Sequence, residues 1–150
     1  MTEESSAIEL VLQSGYRFEI DFALPGVPRL VTDSPAPLGQ GASPDAEKLL
    51  ISAVANCLSS SLLFSLRKFK NDPMALRTTA SAQLRRNEQG RLRVGNIQVE
   101  IRLEFPAGEV KQLDRALAQF EDFCVVTQSV RASIPVAVRV VDSEGALLAG

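Results

Sequence analysis

The chain has no histidine and no tryptophan, and only 2 of its 150 residues are cysteine. The missing histidine excludes Ser-His-Asp and Cys-His catalysis and most zinc sites, so any thiol chemistry must draw on arginine, lysine or a helix N-terminus. Aromatic residues make up 5%, and 16 Lys and Arg stand against 18 Asp and Glu for a net charge of −2. Base-stacking platforms and a basic footprint are both missing, and no nucleic-acid partner is expected. Two cysteines far apart in sequence are too few for a secreted disulfide scaffold and lack zinc-ligand spacing, which predicts free thiols in a reducing cytoplasm. No unbroken apolar run reaches the roughly 18 to 20 residues of a bilayer crossing, and the N-terminal MTEESSAIEL is acidic where a signal peptide is basic. The expectation is a soluble, cytoplasmic chain with no membrane partner and no metal or organic cofactor site.

With 45% hydrophobic residues in 150, the chain is the size of one domain with a sizeable core, and a single domain over 1–150 is expected. Ile8 to Leu12 and Tyr16 to Phe22 alternate apolar and polar around Ser14-Gly15, which predicts a hairpin. Arg29 to Thr32 reads as a short third strand. The segment DSPAPLGQG, Asp33 to Gly41, is too rich in Pro and Gly for regular structure and is expected to be a loop. Ser43-Pro44-Asp45 then offers a helix start, with Ser43 as N-cap, Pro44 at the first helical position and acids in the first turn.

No Gly or Pro interrupts the run from Asp45 to Lys70, where basic residues and Asn71-Asp72-Pro73 form a stop. This helix is apolar nearly all round, the pattern of a buried central helix. Alternation returns at Thr78 to Arg86 and Leu92 to Phe105 around the turn Asn87-Glu88-Gln89-Gly90. Pro106 to Phe123 and Cys124 to Ser133 read as helices and Val136 to Val141 as a closing strand. The order βββ-α-ββ-α-α-β predicts an α+β fold with antiparallel sheets packed around a long buried helix.

Inside that helix the stretch ANCLSSS, Ala55 to Ser61, places a thiol before three hydroxyls. Cys57 and Cys124 each admit two readings, a small buried hydrophobe or a reactive thiol. Cys57 is mid-helix, where no dipole end lowers its pKa. Cys124 stands where a new helix begins, and there free N–H groups favour a thiolate. The serines read as small residues that allow close approach of another element.

The run PLGQGASPDAEKLLISAVANCLSSSLLFSLRKFK, Pro37 to Lys70, resembles the central-helix signature of the OsmC/Ohr family: Leu-Gly, a Pro-capped start, Glu ten positions before Cys, and a small-residue Cys helix. CVVTQSVRASIPVAVRVVD, Cys124 to Asp142, is similar to the family's second cysteine region. The resemblance implies an OsmC-like fold in an intertwined homodimer and a cysteine-based peroxidase acting on organic hydroperoxides. It further implies that Cys57 attacks the peroxide and forms a sulfenic acid, that Cys124 resolves it to a disulfide, and that an external dithiol, lipoyl-type reductants included, restores the thiols.

The resemblance also implies activating roles for Arg17 and Glu47, with Arg29 as the alternative cation; read from the residues alone, Glu47 is equally a first-turn acid complementing the helix dipole and either arginine a solvated strand charge. Glu47 is ten residues from Cys57, roughly 15 Å along a helix, so a long cation must lie between them. Leu50, Val54, Phe64 and Phe123 are the candidate substrate-pocket residues. The rival reading is a dimeric OsmC-fold protein that binds an apolar small molecule without peroxidase turnover.

Overall fold

The computed structural model describes residues 5–72 and 75–150, which form two compact units, Met1–Leu49 and Leu50–Gly150. The acidic first four residues and the Pro73 of the expected helix stop lie outside the described residues.

In the first unit β1 (Glu9–Ser14), β2 (Arg17–Asp21) and β3 (Leu30–Thr32) form an antiparallel sheet in that order. The expected hairpin is present, with Ser14 opposite Arg17 and Gly15 taking the left-handed φ of +53° that the two-residue turn requires. The loop that follows is irregular but ordered around one carboxylate. Buried Asp33 accepts the backbone N–H groups of Gln40 and Ala42 at 3.1 and 3.2 Å. Gly39 sits so close that a Cβ there would collide with the Ser34 carbonyl oxygen and the Asp33 carboxylate, which is why the position is glycine.

Helix α1 (Ala46–Lys68) starts two residues later than the Ser43 cap predicted from sequence. Asp45 is the cap: its carboxylate accepts the Lys48 N–H at 2.9 Å and its carbonyl the Leu49 N–H at 3.1 Å. Ser43 and Asp45 are both good capping residues, and the backbone settles between them. Pro44 therefore precedes the cap instead of opening the helix.

The second unit holds the rest of α1 and a sheet in the order β4 (Leu76–Arg86), β5 (Leu92–Leu103), β6 (Val136–Val141), β7 (Leu147–Ala149). The β4–β5 and β6–β7 pairs are antiparallel and β5–β6 is parallel, so this sheet is mixed. Alternation puts Ile97, Val99, Ile101 and Leu103 of β5 and Val136, Val138 and Val140 of β6 on one face. They share a core with Val54, Leu58, Leu62 and Leu66, one stripe of α1 at four-residue spacing. Elsewhere on α1 some apolar side chains stay open among the described residues, and Phe64 is 67% exposed.

The helix is also 23 residues long with a mean hydropathy of 1.8 over its most apolar window, enough by length and composition to cross a membrane. That corrects the reading from unbroken runs, because its scattered serines barely lower the hydropathy. A core helix meets the same test.

The single helix expected over Pro106 to Phe123 is instead a 3-10 turn at Ala107–Glu109 and α2 (Leu113–Gln119), because Gln112 adopts a left-handed φ of 50°. The apolar spacing that suggested one helix continues across this break. α3 (Val125–Arg131) and β6 fall where expected, and β7 is an additional three-residue strand.

Two buried polar residues close the connections. At the end of α1, Lys70 is left-handed with φ 61°, its N–H reaches the Arg67 carbonyl and the Asn71 N–H reaches the Leu66 carbonyl, a Schellman closure. The Asn71 amide donates to the carbonyls of Leu66 and Lys111 at 3.0 and 2.9 Å and accepts the Lys111 N–H at 2.7 Å. Asn71→Ala leaves the Lys111 carbonyl and N–H without these bonds, while the Leu66 carbonyl keeps the backbone N–H of residue 71, and it is expected to lower unfolding free energy by roughly 2–3 kcal/mol, read from the denaturant midpoint.

At the β6–β7 turn, Asp142 accepts the N–H groups of Ala146, Glu144 and Ala107 at 2.8, 3.0 and 3.3 Å. These bonds, that of Ala146 foremost, hold its carboxyl below the usual carboxylate range against the opposing effect of burial. A carboxyl whose pKa falls on folding stabilises above its unfolded value, and that stabilisation is lost as pH drops through the folded one. The thermal midpoint of wild type should therefore exceed that of Asp142→Asn at neutral pH, and the gap should close in acid below about pH 4.

Candidate active site

Cys57 lies on α1 beside the buried stripe, between Val54 and Leu58, and is partly exposed. Cys124 is the N-cap residue of α3, fully buried in the core while its neighbours Phe123 and Val125 are 65% and 75% exposed. Its backbone is pinned on both sides: its N–H reaches the Glu121 carbonyl at 3.1 Å and its carbonyl accepts the Gln128 N–H at 2.9 Å. The Arg131 guanidinium donates to Glu121 at 3.2 Å and to the Val136 carbonyl at 3.0 Å, joining both ends of this segment to the start of β6.

The two thiols are brought together, and both are free. Burial pushes the Cys124 pKa up, and the facing Cys57 thiol adds to the rise. The Thr127 hydroxyl opposes it. The expectation that a helix N-terminus makes Cys124 the easier thiolate is corrected: α3 is a 7-residue helix, and removing a thiolate from water outweighs what so short a dipole returns. The Cys124 thiol donates to Thr127 Oγ1 at 2.9 Å, and Thr127 is itself fully buried.

Two of the serines downstream of Cys57 tie α1 to its neighbours. Ser59 Oγ donates to the Ala55 carbonyl at 2.7 Å and is 2.6 Å from the Thr78 hydroxyl of β4. Ser65 donates to the Ala116 carbonyl at 2.8 Å, tying α1 to α2. Neither of these contacts involves a thiol.

The other predicted residues are spread over both units. Arg17 opens β2 and is exposed, and Glu47 is exposed in the first turn of α1. Arg29 is occupied on its own sheet, bonding Glu19 at 2.8 Å and Asp21 at 3.2 Å. Of the apolar residues expected to line one pocket, Val54 is fully buried in the core and Leu50 packs against it, whereas Phe64 and Phe123 point outward. Thr127 and Arg131 were not singled out from sequence. The signal for Thr127 was available: a hydroxyl three positions after a cysteine at a predicted helix start has the spacing from N-cap to N3.

Residues 39–139 match the OsmC-like protein family, and the chain belongs to it. Solved structures share the fold at low identity. The OsmC-like protein of unknown function from Vibrio cholerae is 16% identical with a TM-score of 0.75, over 93% of this chain and 100% of that one. The organic hydroperoxide resistance protein OsmC from Legionella pneumophila is 15% identical with a TM-score of 0.71, over 93% and 98%. The organic hydroperoxide resistance protein OhrB of Bacillus subtilis is 16% identical with a TM-score of 0.67, over 91% and 98%. Among curated proteins no sequence matches.

The difference in exposure gives a direct expectation. Native protein treated with iodoacetamide should be alkylated at Cys57 well before Cys124, by at least about tenfold in rate, and the difference should vanish in denaturant; peptide mass mapping reads both sites.

Proposed function

We propose that this OsmC-like protein is a thiol-dependent peroxidase that reduces organic hydroperoxides through Cys57 and Cys124. One observation carries the reading: two free thiols from distant parts of the sequence face each other at the edge of an apolar core. Purely structural packing of two cysteines does not require them to meet. The fold shared with proteins named for organic hydroperoxide resistance is consistent with it.

In this mechanism the Cys57 thiolate attacks the terminal oxygen of the hydroperoxide. The O–O bond breaks, the alkoxide takes a proton and leaves as an alcohol, and Cys57 becomes a sulfenic acid. The Cys124 thiolate then attacks the sulfenic sulfur, forming the S–S bond as the S–O bond breaks and hydroxide leaves as water. An external dithiol, lipoyl-type reductants included, returns both thiols by exchange.

With no histidine available, the cation that favours the Cys57 thiolate is assigned to Arg17, and Glu47 to orienting it. Arg29 is the weaker candidate because two carboxylates already neutralise it. The working form is a homodimer, since Phe64 of α1 and Leu10, Val11 and Leu12 of β1 are large apolar side chains left exposed by one chain; a reducing cytoplasm is the setting in which two thiols stay free.

A second reading is an OsmC-fold protein that binds an apolar small molecule without turnover; burial raises the pKa of the Cys124 thiol, which works against a resolving role. Incubation with cumene hydroperoxide and a dithiol separates the two. Turnover, with an intramolecular Cys57–Cys124 disulfide when the dithiol is withheld, is the expected result; consumption of no peroxide and two free thiols would leave the binding reading. Arg17→Met should slow the first step by about tenfold or more with Arg29→Met close to wild type, followed by stopped-flow measurement of the thiol. Light scattering at micromolar concentration should return the mass of two chains.

A further inference from the structure

A resolving thiol has to ionise to attack, and Cys124 sits where ionisation is disfavoured. It is fully buried, faces a second thiol on α1, and lies at the start of a helix too short to supply much dipole. Thr127 is the group in place to offset this. Its Oγ1 lies 2.9 Å from Cys124 Sγ, and both residues are fully buried. In the resting thiol the S–H donates and the hydroxyl accepts. A hydroxyl can do either, so once the proton leaves, the Thr127 O–H can rotate to donate to the sulfur, where a neutral apolar side chain of the same shape has nothing to offer.

The position of Thr127 is fixed independently of the thiol. It is the third residue of α3, whose start is set by the Glu121 and Gln128 bonds and whose end is held by Arg131 on Glu121 and Val136. The hydroxyl is thus presented to the sulfur by a clamped turn of helix. The titratable group acting on Cys124 is the Cys57 thiol across from it, and Arg131 and Glu121 are paired with each other.

Resting on the peroxidase reading above, we infer that Thr127 is a positioning residue for resolution: it holds Cys124 Sγ toward Cys57 in the thiol state and donates a hydrogen bond to the thiolate that attacks the Cys57 sulfenic acid. In the step it serves, the Cys124 sulfur is oxidised, the sulfenic sulfur is reduced and the oxygen leaves as water. Thr127 exchanges no atoms. Its effect falls on the second step and not on peroxide attack, which is the property that distinguishes it from a residue needed only for packing.

The test uses full-length Thr127→Val, which keeps the shape, and Thr127→Ser, which keeps the hydroxyl. After a single equivalent of cumene hydroperoxide, Thr127→Val should consume peroxide at the wild-type rate but form disulfide about tenfold or more slowly at neutral pH. Its sulfenic acid should accumulate as a dimedone adduct on Cys57, its resolution pH profile should move to higher pH, and Thr127→Ser should restore wild-type behaviour. Wild-type resolution rates and profile in Thr127→Val would overturn the inference while leaving the peroxidase reading intact; failure of wild type itself to form sulfenic acid or disulfide would remove both.

A second measurement does not depend on turnover. In a Cys57→Ser background, the ultraviolet thiolate titration of Cys124 should move to higher pH when Thr127→Val or Thr127→Ala is added and return with Thr127→Ser. An unchanged titration in both hydroxyl-free variants would also overturn the inference.

Discussion

Everything in the second unit depends on one stripe of α1 meeting one face of a sheet. Val54, Leu58, Leu62 and Leu66 recur every four residues and are fully buried with the inward side chains of β5 and β6. Each such burial contributes on the order of 1.5–3 kcal/mol, more than helix propensity supplies at any one position. That stripe fixes the rotation of the helix about its axis, and the rotation places Cys57 on its flank. A helix turned by one residue would carry the thiol away from Cys124 and Thr78 away from Ser59.

The first unit is built differently. Its fully apolar interior is thin, with Ile20 as its buried large side chain and β1 exposed along its length. Order comes from Asp33, which gathers the backbone of the following loop, and from the Asp45 cap that starts α1. One part of the chain is thus organised by apolar area and the other by two carboxylates whose lone pairs are matched to backbone N–H groups.

The strands and α1 were legible because their signals are local: alternation of side chains, a polar helix start, a basic last turn. What escaped is non-local or turns on a single dihedral. Parallel pairing of β5 with β6 joins residues that no periodicity relates, and the left-handed Gln112 interrupts a helix whose apolar spacing continues past it. β7 is too short for a pattern. At the thiols, the sequence correctly places Cys124 at a helix start but misjudges its acidity, because burial is a property of the finished core. That Cys57 and Cys124 meet was implied by family resemblance; no spacing rule predicts it. Arg17 and Glu47 rest on resemblance alone.

The polar ties between α1 and α2 have a kinetic consequence. Ser65 on the Ala116 carbonyl and Asn71 on Lys111 stitch the helix carrying Cys57 to the segment that leads into Cys124. Local opening of one element therefore breaks buried bonds of the other, and the two are expected to exchange their amide hydrogens as one cooperative unit. For a thiol with no exposed surface, access by any large reagent is then timed by that shared opening. The protein's clock at Cys124 is set by a serine and an asparagine that touch neither sulfur.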